Sequence, residues 1–234
     1  MPSQYPHADR IAVALDCIIF GFDQEGLKLL LVKRDLEPEK GHWSLMGGLL
    51  RRQESLDEAA QRVLHQLTGL KDIYLEQLHS FGAVDRDPVE RTVSVAYYAL
   101  INIRQHDQEL MEQCEARWFP ADEVPALIFD HADMVQAARD RLRYQASYQP
   151  IGFELLPEKF TMPELQRLYE AIYDVPLDKR NFHRRILSMH ILKRLDEKRK
   201  GTSKKGAFLY QFDQEKYEEM VEKGFTFVFK PNAY

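Results

Sequence analysis

Two stretches of this 234-residue chain place chemically capable side chains close together. The first, residues 48–70, reads GLLRRQESLDEAAQRVLHQLTGL and carries the acids Glu54, Asp57 and Glu58 ahead of Arg62. Hard divalent cations take anionic oxygen ligands, so such acids are the first place to look for a metal. Glu54 alone makes a poor Mg²⁺ site, however, and a surface or salt-bridge role accounts for it better. Asp57 and Glu58 open a helix, where the dipole favours anions without any metal. Val63, Gln66 and Leu67, one to two turns further on, offer no anionic oxygen. His42, His79 and His131 lack the mutual spacing of a zinc motif. No metal and no cofactor are expected.

The second stretch, residues 178–206, is basic. It holds eleven Lys and Arg against Asp178, Asp196 and Glu197, a local excess of eight in a chain whose net charge is −5. The remainder is therefore strongly acidic, and the positive charge sits in one C-terminal block. Its residues fall into two groups. Lys179, Arg180, His183, Arg184 and Arg185 belong to one helical run; Lys198, Arg199, Lys200, Lys204 and Lys205 are interleaved with Gly201, Thr202, Ser203 and Gly206. Guanidinium forks pair with guanine O6 and N7 or with phosphate, and a flexible basic loop suits phosphate or minor-groove contact. A merely solvated charged face is the bland alternative.

The elements that must position these groups follow from periodicity. Residues 11–22 and 28–33 read as antiparallel strands around the turn-like Asp23, Gln24, Glu25 and Gly26. After a loop, Ser55 and Glu58 form a capping box for a helix over about 55–67, with Gly69 as its stop. Its apolar face is Leu56, Ala59, Ala60, Val63, Leu64 and Leu67. Strands follow near 74–84, 92–103 and 116–119, then a helix over about 131–145, and Pro150 marks a domain boundary. Beyond it, Thr161 and Glu164 form a second capping box, and Leu165, Leu168, Tyr169 and Ile172 fall at helical spacing. Pro176 breaks that helix, and Asp178 caps the next, which runs to about Met189. Phe182, Ile186 and Met189 turn to the core, which leaves Arg180 and Arg184 outward. Strands at 191–195 and 208–212 flank the basic loop, and a helix over 214–223 precedes the alternating FTFVF. Helix, turn, helix and a hairpin with a charged tip is the order of a winged helix-turn-helix, whose second helix enters a major groove.

Residues 48–70 resemble a Nudix box, G-x5-E-x7-R-E-U-x-E-E-x-G-U with U bulky and aliphatic. Gly48, Glu54, Arg62, Leu64, Gly69 and Leu70 match in register; Val63, Gln66 and Leu67 replace the three glutamates. In Nudix enzymes those side chains hold metal against a diphosphate and help activate water, so here the scaffold is kept and the chemistry removed. With GHWSLMGG, the Asp85–Pro88 DRDP loop and FTMPELQRLYEAIYDVPLDKRNFHRRIL, nearly the whole chain resembles the Nudix-related transcriptional regulators. The resemblance implies an α+β chain: a Nudix-like α/β/α sandwich with a mixed sheet over 1–150, then a winged helix over 151–234. It also implies a homodimer on a palindromic double-stranded DNA operator, controlled by a small molecule in the Nudix-like domain. Some branches answer to ADP-ribose and others to sugars. This chain looks closest to the arabinose-responsive branch, which implies a pentose effector and a repressor of sugar utilisation. The rival reading is a divergent Nudix hydrolase acting on compounds such as ADP-ribose.

For the effector, Arg34, Asp85, Arg86 and Arg91 lie on predicted strand ends and loops, where ligand contacts gather, with exposed charge as the alternative. Trp43 can stack on a sugar ring or serve the core or an interface. A hydrophobic content of 44% and a charged content of 29% fit a soluble globular protein. No stretch is apolar enough to span a bilayer, and MPSQYPHADR lacks a secretory core, so a cytoplasmic protein is expected. Cys17 and Cys114 are expected to be free thiols.

Overall fold

A computed structural model describes residues 9–23, 26–71, 73–103, 115–199 and 206–231. Gln24, Glu25, Cys114, Lys200, Lys204 and Lys205 lie outside the described residues, so the expectations placed on them are not addressed by the structure.

The N-terminal part is built on a seven-stranded mixed sheet. Its strands are β1 (Ala12–Phe22), β2 (Leu27–Lys33), β3 (Trp43–Ser44), β4 (Met46–Leu49), β5 (Glu76–Phe81), β6 (Thr92–Asn102) and β7 (Arg117–Pro120). The main order is β3-β2-β1-β6-β5, with β4 on β1 and β7 on β2. β1 runs parallel to β6 over its whole length, from Ala12 opposite Thr92 to Phe22 opposite Asn102. Residues 46–49, expected to be loop, form β4, which pairs Cys17 with Met46 and Asp16 with Gly47.

Alternation along β1 divides the core in two. Leu15, Cys17 and Ile19 pack with Ala59, Ala60, Val63 and Leu64 of helix α1 (Leu56–Thr68). Ile18, Phe20 and Phe22 face the other side, with Met134, Val135 and Ala138 of α2 (His131–Tyr148). The two helices thus cover opposite faces of the sheet, the predicted sandwich. Ser55 caps α1 in a reciprocal box with Glu58, and Gly69 closes it at φ 79°. Cys17 is a free buried thiol, and burial raises its pKa.

After a 3₁₀ turn (Phe153–Leu155) come β8 (Phe160–Thr161), α3 (Met162–Tyr173), α4 (Lys179–Ser188), β9 (Leu192–Arg199), β10 (Ala207–Phe212) and α5 (Gln214–Glu222). β8, β10 and β9 make a three-stranded antiparallel sheet in that order. The Thr161–Glu164 box opens α3, and Asp178 caps α4 by accepting from the Asn181 amide. Between the helices, Asp174 adopts φ 58° and closes α3. β9 reaches Arg199, further than its apolar part suggests, because it is an edge strand that tolerates charge. The FTFVF run forms no strand, yet its alternation is real: Phe227 and Phe229 are buried while Thr226 and Val228 are exposed. One core cluster joins the α2 face of the sheet to α3, α4 and this tail.

Candidate functional site

Three acids of the 48–70 segment have structural partners. Arg62 donates Nε to Glu54 Oε2 at 2.7 Å and Nη2 to Oε1 at 2.5 Å, while the Arg51 amide donates to Glu54 Oε1 at 2.7 Å. The hydrogen bond from Arg62 above all holds the Glu54 carboxyl down to about 2. Asp57 accepts from Tyr97 Oη at 2.7 Å, and Glu58 closes the capping box. Val63 is buried against the backbone of Gly48, where an added Cβ would approach Val63 Cγ2 to 2.8 Å. Among the described residues, no cluster of three His, Cys, Asp or Glu side chains is arranged to hold a metal.

Beside this segment a cleft of about 360 Å³ opens between the ends of β1, β2, β4 and β6 and the start of α2. That is large enough for a small ligand. Arg34 and Arg86 line it, together with Lys33, Asp87, Leu67 and Phe129. Arg34 anchors Nε on the carbonyls of Leu36 (3.0 Å) and Pro38 (2.7 Å) and lies over the Phe129 ring at 5.3 Å. The other three predicted effector residues do not line this cleft. Trp43 packs edge-on against Phe119 at 4.8 Å, below Lys33 and Arg117. Asp85 is exposed on its loop. Arg91 donates to the carbonyls of Gly82, Ala83 and Thr92, which shapes the loop itself.

The cleft floor is a buried polar network that sequence reasoning missed. Arg86, expected as an effector contact or an exposed loop charge, is buried and forks onto Asp130, Nε to Oδ2 at 2.9 Å and Nη2 to Oδ1 at 2.7 Å. Asp16 lies 3.7 Å from Arg86 Nη2 and accepts from Ser94 Oγ at 2.5 Å. His131 Nδ1 accepts the Leu45 amide at 3.1 Å, so the neutral ring carries its proton on Nε2, which faces Asp16 Oδ1 at 3.6 Å. Burial outweighs the attraction of Asp16 and Asp130 and lowers the His131 pKa, which favours that neutral form. Gly47 is required opposite Asp16, because a Cβ there would collide with Asp16 Oδ1. The available signal was Asp16 itself, one charge inside the apolar run AVALDCIIF.

In the C-terminal part, Phe182 and Ile186 lock α4 inward, and Lys179, Arg180 and Arg184 are exposed on its outer side. Arg184 reaches Asn181 Oδ1 at 3.0 Å. His183 is half-buried, its Nε2 has no hydrogen-bond partner among the described residues, and burial lowers its pKa. Arg185 has intramolecular partners: Nη2 donates to the Val228 carbonyl at 3.0 Å. On the hairpin, Arg199 pairs with Glu164 and donates to the Lys159 carbonyl at 2.8 Å, which ties the strand to the start of α3. Lys198 is exposed; its Nζ and the Arg194 guanidinium sit 4.3 and 4.2 Å from the Phe208 ring centre. The outward side of α4 and the exposed cations of β9 therefore offer positive charge on two consecutive elements, as a groove-binding helix and its wing require.

Comparison with known proteins matches this division of structure. A family model described as NUDIX domain matches residues 10–140, and one described as NrtR DNA-binding winged helix domain matches residues 152–212. The ADPR responsive transcriptional repressor NtrR of Acinetobacter baylyi is 34% identical over 222 residues, which span 92% of this chain and 88% of that protein. The crystal structure of Shewanella oneidensis NrtR complexed with a 27mer DNA aligns with a TM-score of 0.75 at 31% identity, covering 86% of this chain and 93% of that one. The NUDIX domain of the same protein complexed with ADP ribose aligns with a TM-score of 0.53 at 30% identity, covering 60% of this chain and 94% of that one. The expected kinship with arabinose-responsive regulators finds no support in these relatives.

Proposed function

Because the chain belongs to the NrtR family of regulators, which joins a Nudix domain to a winged helix, we propose that it is an ADP-ribose-responsive transcriptional repressor. Residues 1–150 form its sensor and 151–234 its DNA-binding part. It binds a palindromic operator as a homodimer and leaves it when ADP-ribose enters the Nudix cleft. The observation that carries this reading is the pairing of two features in one chain. One is a recognition helix with Lys179, Arg180 and Arg184 outward over a locked apolar face. The other is a Nudix cleft beside positions 63, 66 and 67, where valine, glutamine and leucine offer no anionic oxygen.

The cleft's chemistry suits ADP-ribose better than the pentose first expected. Lys33 and Arg34 at its edge offer cations to a diphosphate, and Asp87 offers a carboxylate to ribose hydroxyls. A neutral pentose offers those cations hydroxyl acceptors but no anionic group. Without the carboxylates that hold metal against a diphosphate, binding rather than hydrolysis is the outcome. Lys179, Arg180 and Arg184 read or grip the major groove, and Lys198, Lys200, Lys204 and Lys205 grip phosphate from the wing.

The test is selection of DNA from a random pool by the purified full chain, followed by footprinting. A palindrome with half-sites about one helical turn, or a multiple of it, apart is expected. Recovery of unrelated sequences, or of a lone half-site bound by a monomer, would contradict the reading.

A further inference from the structure

The C-terminal residues 225–230 lie where three helices meet. Phe229 packs against Tyr169 and Tyr173 of α3 at 5.1 and 5.9 Å and against Phe182 of α4 at 5.6 Å, between ring centres. Its backbone is held from both sides. The Phe229 amide donates to the Ser147 carbonyl of α2 at 2.9 Å, and Tyr173 Oη donates to the Phe229 carbonyl at 3.1 Å. Arg185 closes the arrangement from the recognition helix. Its Nη2 and Nη1 reach the Val228 and Lys230 carbonyls at 3.0 and 3.4 Å, and its guanidinium lies 5.3 Å from the Phe229 ring centre.

The other end of α2 forms part of the cleft floor. Asp130, just before its first residue, holds Arg86, and His131 binds the Leu45 amide. Eighteen residues make a rod about 27 Å long. Further along that rod, Arg143 Nε donates to the Ile172 carbonyl at 3.2 Å, and Arg139 and Arg143 each lie 3.8 Å from Asp174. These contacts reach α3 and its end. Among the described residues, α2 is also linked to α4 by hydrogen bonds through the tail, alongside the route through α3, whose Glu170 accepts from the Leu177 amide at 2.9 Å ahead of α4.

We infer that residues 225–230 are a strap that fixes the recognition helix to α2, with Arg185 as its positioning residue rather than a DNA contact. The strap carries movement of α2 at the effector cleft to α4. This rests on the repressor reading for its effect on DNA, but not for the strap itself.

Three full-length variants test it: Arg185→Ala, Arg185→Lys and the milder Tyr173→Phe, which keeps the ring and removes one donor to the strap. Amide exchange is measured on the DNA-free protein, and salt-dependent operator affinity is measured with and without ADP-ribose. Arg185→Ala and Arg185→Lys are expected to raise exchange in α4 by about tenfold or more, because local opening follows lost tertiary hydrogen bonds. Lysine cannot fork onto two carbonyls and should not rescue. The salt slope should stay that of the unaltered protein, while the effect of ADP-ribose falls to less than about twofold from the 5- to 150-fold usual for such coupling. Tyr173→Phe should move exchange and coupling the same way by less.

Unchanged exchange in α4 in both Arg185 variants would overturn the strap. So would a salt slope reduced by about 0.9 in Arg185→Ala and restored by lysine, the mark of a phosphate contact. Failure of the unaltered chain to bind DNA or to answer ADP-ribose would instead sink the repressor reading, with exchange still deciding the strap.

Discussion

Replacing Arg86 by methionine is the most severe single perturbation that the cleft floor offers. Methionine keeps most of the length and removes the fork. Arg86 has 3% of its side chain exposed, and its partners Asp130 and Asp16 have 17% and 6%. A solvent-exposed pair is worth about 0–1 kcal/mol, but removing one partner of a buried pair strands the other charge and costs about 3–5 kcal/mol. Here two carboxylates lose their cation together, and Ser94 is left as the strong donor to Asp16. For a chain of this size each kcal/mol moves the melting temperature by about 2–4 °C, so a fall of roughly 6–20 °C is expected. Asp130→Asn should cost less, because Arg86 keeps an acceptor at position 130 and retains Asp16 at 3.7 Å. Urea unfolding of the unaltered chain, both single variants and the double variant gives the coupling directly, expected at about 0.5–3 kcal/mol. A cost for Arg86→Met below about 1 kcal/mol, or strictly additive single effects, would show that the floor is not a coupled buried network.

Three further outcomes follow from the same geometry. Arg180→Ala or Arg184→Ala should erase about 1–3 kcal/mol of discrimination between operator and random DNA if the side chain forks onto a base, whereas Lys204→Ala with Lys205→Ala should weaken both and flatten the salt dependence; competition gel shifts at several salt concentrations separate the two patterns. Because burial lowers the pKa of His131 in the fold, the unfolded chain binds that proton first as pH falls below the free value of 6.5, so its contribution is full above that pH and is lost as pH drops through the folded value. The slope is at most about 1.4 kcal/mol per pH unit for one proton, and His131→Gln, which still accepts the Leu45 amide, should flatten it in denaturant titrations. Incubation with ADP-ribose and Mg²⁺ or Mn²⁺ should show no turnover above a protein-free control by chromatography, and rapid hydrolysis abolished by Glu54→Gln would restore the hydrolase reading.

What the sequence disclosed was local. Both capping boxes, Ser55 with Glu58 and Thr161 with Glu164, act within three residues of themselves and form as expected. The helix-turn-helix order was legible for the same reason. β4 was not, because four residues with two adjacent glycines signal a turn unless their pairing with β1 is known. The cleft floor was hidden for a stronger reason. Asp16 and Ser94 are 78 residues apart, and Arg86 and Asp130 are 44 apart. They meet through the parallel β1–β6 ladder and the placement of α2, neither of which has a local signature. Arg185 illustrates the limit of charge counting, since a guanidinium in a basic helix looks the same whether it faces phosphate or two carbonyls of its own chain.

On the proposed function, the Nudix part is a receptor whose occupancy sets DNA affinity. Titration of ADP-ribose and, separately, L-arabinose into a preformed complex of the full chain with its selected operator tests it most directly, read by gel shift or anisotropy. Release by ADP-ribose without its hydrolysis is expected, with a shift in operator affinity of about 5- to 150-fold, and no release by arabinose at the same concentrations. Release by arabinose alone, or an operator complex indifferent to both ligands, would contradict it.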